Sequence, residues 1–140
     1  MGDAVRELNK FLKGIYMGIH SYENLIQNEQ NPNIKQELQR MQQDHKNNAA
    51  KVAERIQNLG GTPVTDEGII GSAQNFISGL TTPTETDSIL RDALKGEEYY
   101  AMEVSRKEIV GDIDEESKQL IDDILEKEKE HVNTLRAYLG

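Results

Sequence analysis

The sequence predicts an all-α fold of four long helices, and three observations carry that expectation. Apolar residues recur at spacings of three and four in four stretches, which is the period of a helix face and not the alternation of a half-buried strand. Helix-entry and helix-exit residues stand at the ends of those stretches. The outer two connections are short, whereas the middle one runs from Gly60 to Glu85, far longer than a turn between neighbouring helices requires.

The first helix, residues 5–28, carries Leu8, Leu12, Ile15, Ile19, Tyr22 and Ile26 along one stripe, and "QNEQNPN" ends it. Asn31 then reads as an N-cap with Pro32 at the first helical position, where a missing N–H costs nothing. The second helix, residues 34–59 beyond that entry, carries Ile34, Leu38, Met41, Val52, Ile56 and Leu59, and Gly60-Gly61 supplies a residue able to take positive φ at its exit. The third, residues 87–110, buries Leu90, Ala93, Leu94, Ala101 and Val104. Gly111, with the capping-type residues Asp112 and Asp114, punctuates its end. The fourth, residues 115–139, buries Ile121, Ile124, Leu135 and Leu139, while its "EKEKE" run is a solvated face with opposite charges at helical spacing. In the long connection, residues 60–86, helical spacing of Ile69, Ala73, Phe76, Ile77 and Leu80 predicts a short amphipathic helix bracketed by Thr62-Pro63 and Thr82-Pro83. Two antiparallel pairs joined by one long crossover give a four-helix bundle in which the second and third helices run parallel, the connectivity of ferritin-like folds.

Composition sets the outer limits. With 140 residues, 36% of them hydrophobic, the chain fills one domain, residues 1–140, around one core. A formal net charge of -9 repels phosphate backbones and anionic membranes, so nucleic acid and membrane are not expected partners. Absence of cysteine removes disulfides, thiolate metal sites and a Cys nucleophile, leaving His and carboxylate as the only strong metal ligands. "MGDAVRELNKF" is charged where a signal peptide is apolar, and no run of about 18 apolar residues occurs, so a cytoplasmic protein is expected. Arg6 occupies the place where a myristoylation motif has Ser or Thr.

A weak internal repeat singles out a candidate site. "FLKGIYM" and "ALKGEEYY" align Gly14 with Gly96 and set Ile15 against Glu97. An offset one residue longer sets His45-x-x-Asn48 against Glu128-x-x-His131. All these positions fall on the apolar stripes, which His45, Asn48, Glu97, Glu128 and His131 interrupt, and an isolated ion in such a place costs roughly several kcal/mol unless paired, protonated or metal-bound.

Through "KGEEYY" and Glu128-x-x-His131 the chain resembles the rubrerythrin and ferritin-like carboxylate bundles, which draw a Glu from each of two helices and a Glu-x-x-His from each of the other two. Through "ELNKFLKGIYMGIHSYE", "LGGTP", "GIIGSAQ" and "ALKGEEYY" it is similar over nearly its whole length to a bacterial ferritin-like, rubrerythrin-related domain family of unknown function. That resemblance implies metal ligands at Glu97, Glu128 and His131, with His45 at the facing position. Ile15 and Asn48 depart from the pattern, so half of a two-metal site is missing and two-iron ferroxidase or peroxidase chemistry is not expected. Two imidazoles and two carboxylates form a shell for one Zn, Fe or Mn ion, with stress-linked redox activity as the implied role. Without cysteine a rubredoxin-type electron-transfer module is not expected, and with no fifth helix expected after the fourth, iron storage is not expected either. The alternative is a metal-free buried polar cluster in a helical scaffold that pairs with itself as a homodimer or docks a partner. Of the remaining polar residues, His20 reads as a solvated surface histidine near Glu23, Asn48 as satisfying a neighbouring polar group, and Tyr16, Tyr99 and Tyr100 as packing residues with wet hydroxyls.

Overall fold

In the computed structural model of the chain, the backbone of residues 2–66, 83–106 and 113–140 is described, with side chains at 4–66, 83–98 and 113–140. These residues form four helices and no strand: α1 (Gly2–Asn28), α2 (Pro32–Asn58), α3 (Thr86–Arg106) and α4 (Glu115–Leu139). The expected crossover helix, Asp112 and residues 107–110 lie outside the described residues, as do the side chains of Tyr99, Tyr100, Ala101 and Val104.

Local chemistry sets the boundaries. α1 begins three residues before its expected start, because Ala4 is buried in its first turn and Val5 packs against the core. The Asn31 side chain accepts from the backbone N–H groups of Asn33 (2.9 Å) and Ile34 (3.3 Å), satisfying two of the orphan donors that open α2. Gly60, at φ +84°, turns the chain away from the end of α2. Gly61 comes next, where a Cβ would collide with the Val5 side chain, so the crossover leaves α2 pressed against α1. Asp114 opens α4 by accepting from Ser117 N–H (3.1 Å), at the expected residue.

Two apolar clusters fill the interior. One gathers Leu8, Phe11, Leu12, Ile15 and Ile19 of α1 with Ala49, Val52 and Ile56 of α2 and Ile121 and Ile124 of α4. The other gathers Tyr22 and Leu25 of α1, Ile34, Leu38 and Met41 of α2, Ile89, Leu90 and Ala93 of α3, and Leu135 of α4. The start of α1 thus meets the end of α2, and the start of α3 meets the end of α4. The neighbours α1 and α3, and α2 and α4, are antiparallel in the same way. Consequently α2 and α3 run in the same direction. Burial of this set stabilises by about 1.5–3 kcal/mol for each large apolar side chain.

Four stripe positions differ from expectation. Ile26 is only half-buried and Leu25 takes its place, because near its end α1 packs on both α2 and α3 and its apolar face widens. Ile89 joins the core and Leu94 is half-buried on the rim of the same face. Leu59 and Leu139, at the exits of α2 and α4, are half-buried as well, because the layer they cover ends there. Among the described residues no helix is long and apolar enough to cross a membrane.

Polar ties close the ends. Arg55 of α2 donates to Asp114 Oδ2 (2.6 Å) and Ser117 Oγ (3.0 Å) at the start of α4. At the opposite end Glu29, 1% exposed, accepts from Asn31 N–H (3.0 Å) and from Thr86 Oγ1 (2.7 Å) at the start of α3. Asn9 of α1 holds the crossover by donating to Thr62 O (3.1 Å) and accepting from Val64 N–H (2.8 Å).

Candidate metal centre

Between the apolar clusters lies a polar layer. On α2, His45 stands one turn beyond Met41; on α3, Glu97 stands one turn beyond Ala93; on α4, Glu128 and His131 stand between Ile124 and Leu135. Each occupies a core register by helical spacing, so the fold carries it inward. The four are 4%, 3%, 1% and 1% exposed, and they offer ligand atoms that all lie within 4.8 Å of one another.

Glu97 is the hub. Its Oε1 faces His45 Nε2 at 2.8 Å and His131 Nδ1 at 3.3 Å, and accepts from the Tyr22 hydroxyl at 2.5 Å. His45 Nδ1 lies 3.3 Å from Glu128 Oε1, an ion-pair distance without hydrogen-bond geometry. His131 Nε2 lies 2.8 Å from Asp44 Oδ2, a half-buried carboxylate on α2 that orients the ring from behind. Glu97 Oε2 and both oxygens of Glu128 have no hydrogen-bond partner among the described residues.

This geometry sets the electrostatics. Burial alone would raise Glu97, but the neighbouring Glu128 carboxyl and the His131 and His45 imidazoles outweigh it and hold the carboxyl well below its ordinary range. Glu128 is pushed up to about 11, first by burial and then by the Glu97 carboxylate beside it. The two acids therefore share one proton, which resides on Glu128. Burial opposes the charge on His131, yet Glu97 and Asp44 raise its pKa overall. Tyr22 is raised well above the usual phenol value by burial and by Glu97, so its hydroxyl stays a donor.

All four residues singled out in the sequence are thus brought together. Two further contributors are absent from the sequence reading. Tyr22 reads there as a core position only, although a buried tyrosine hydroxyl needs a partner and so signals a nearby acceptor. Asp44 carries no signal, since its contact with His131 spans two helices. Two expectations are corrected. His20 lies near Glu23 as expected, Nδ1 3.3 Å from its Oε2, but is only partly exposed, and its Nε2 lies 2.7 Å from Asp66 Oδ1, so it ties α1 to the crossover. Asn48 makes no donation through its amide: it is 6% exposed, and its Nδ2 has no partner among the described residues. Ile15 lies in the apolar cluster and beside the polar layer, and it offers no ligand atom.

Carboxylate oxygens buried without donors fit a cation, because a divalent ion supplies the missing positive partner and displaces the shared proton. Fold and centre together define an all-helical protein with a buried His2Glu2 group that could hold a metal ion. The chain belongs to the family described as the domain of unknown function DUF2383, whose profile matches residues 3–108. The matched stretch contains His45 and Glu97 and stops short of Glu128 and His131. No curated protein and no solved structure gives a significant match.

Proposed function

We propose that the protein is a ferritin-like four-helix bundle that binds one divalent metal ion through His45, Glu97, Glu128 and His131, in a degenerate half of a two-metal carboxylate site. The observation that carries this reading is the set of three carboxylate oxygens buried without a hydrogen-bond partner and within reach of two imidazoles. Supporting it are the ferritin-type course of the chain, with α2 parallel to α3, and the one-turn spacing of Glu128 and His131. Zinc would accept the four ligands as they stand, and iron or manganese would add water. When bound, such an ion supplies Lewis acidity, and with iron or manganese a redox couple as well. The chain's own groups have defined parts. Glu128 gives up its proton to become a ligand, Asp44 keeps His131 in place, and Tyr22 keeps a hydrogen bond on Glu97. A two-iron reaction is not proposed, since Ile15 and Asn48 offer no carboxylate or imidazole.

Metal analysis of tag-free protein beside a His131→Ala variant tests the reading. One equivalent of metal in the parent and less than about a tenth of that affinity in the variant is expected. Equal or negligible metal in both would leave a metal-free scaffold with a buried polar cluster. Proton release adds an independent readout: binding at neutral pH releases protons into weakly buffered solution, because Glu128 is protonated beforehand.

A further inference from the structure

A groove about 170 Å³ in volume enters the molecule between α1 and α3 and ends on the polar layer. Its mouth is made of positions without bulk, Gly14 and Gly18 on α1 and Gly96 on α3, and a Cβ placed at Gly18 or Gly96 would meet nothing within 4 Å. Its walls are mostly apolar, with Met17, Leu25 and Ala93 among them, and Ser21 and Asp92 also line it. Small residues alone would only indicate close helices. Here the inner end is lined by Glu97 and Glu128, whose side chains are 2% and 1% exposed, and three of their four oxygens lack a donor.

We propose that this groove binds a small uncharged molecule of benzene size bearing one hydroxyl group, with its apolar body between α1 and α3 and its hydroxyl donating to Glu97 Oε2 or a Glu128 oxygen. Size sets the first limit: an apolar cavity of roughly 150 Å³ is sufficient for benzene. The lining sets the second, since mostly apolar walls with a few polar groups favour a compact amphipathic ligand. The polar end sets the third. It presents Glu97 Oε2 as a buried acceptor without a donor, so a hydroxyl can complete it, whereas the mostly apolar walls offer few partners to repay the dehydration of an organic ammonium group. The proposal shares Glu97 and Glu128 with the metal reading but does not require the ion.

Metal-stripped, full-length protein titrated with phenol, benzene and benzylammonium tests it by NMR. Saturable phenol binding is expected, with intermolecular NOEs from the ring to the methyl groups of Met17, Leu25 and Ala93. Benzene should bind about tenfold more weakly for want of the donor, and benzylammonium no better than benzene. Gly18→Leu and Gly96→Leu would fill the mouth and weaken phenol binding by at least about tenfold, whereas Gly18→Ala, whose methyl meets open space, should leave it within about twofold. Absence of those NOEs in the parent protein overturns the proposal even if a leucine variant fails to fold. Equal affinity for phenol and benzene, or tighter binding of benzylammonium, overturns it too. Phenol binding without metal binding would remove the metal reading alone, and metal binding without phenol binding would remove the groove alone.

Discussion

The two helix pairs meet the centre of the molecule with opposite chemistry. From α3 and α4 come Glu97, Glu128 and His131; at the positions that the repeat sets against them, α1 and α2 present Ile15, His45 and Asn48. All six are buried, at 1–6% exposure, so burial does not distinguish the halves. What differs is whether each buried group has something to bind. Ile15 needs nothing and joins the apolar cluster, while Glu97 in the corresponding place gathers three donors. Asn48 keeps a buried amide with no partner for its Nδ2 where His131 has two carboxylates.

Substitutions can break or sharpen that contrast. The largest effect is expected from Ile15→Glu, which inserts a second unanswered carboxyl into the apolar half. In metal-free protein it should cost about 3–5 kcal/mol in chemical denaturation at neutral pH. A loss below about 1 kcal/mol would mean that the first half can also accommodate an acid, and the contrast would fail. Next comes Tyr22→Phe, which removes the 2.5 Å hydrogen bond to Glu97 with little change of volume. A loss of about 1.5–3 kcal/mol is expected, because the acceptor is charged and buried. Smaller still is Asn48→Leu. Removing a buried amide whose donor is unanswered should leave stability within about 1 kcal/mol or raise it, and a larger loss would reveal an unseen partner for Asn48.

Asp114→Ala, far from the centre, provides the reference. Loss of this N-cap should cost about 1 kcal/mol at neutral pH. The Asp114 carboxyl is lowered from 3.8 to about 2, chiefly by hydrogen bonds from Ser117, with Arg55 adding to them. Its contribution is therefore complete above pH 3.8 and disappears as pH falls towards about 2. The stability difference between parent and variant should shrink over that interval, with no change in metal content.

Much of the fold is legible in the sequence because local signals agree. Asn31-Pro32, Gly60 and Asp114 are read from the residue alone, and they mark the helix ends. The four-residue cluster is legible because charged residues on an apolar stripe contradict their surroundings. The choice between Leu25 and Ile26 is not, since both lie on the same side of α1 and only the arrival of α3 decides between them. The roles of Asp44 and His20 are hidden for a related reason: their partners, His131 and Asp66, are distant in sequence, and a helix period says nothing about what stands opposite.

Glu29 carries a consequence for how the chain assembles. Its buried Oε1 holds Asn31 within one hairpin and gains a second donor only when Thr86 arrives from the other, while Oε2 has no partner among the described residues. Neither hairpin can dock half-way without stranding that acid, so the two should melt as a single cooperative unit, with one transition in calorimetry and by circular dichroism alike.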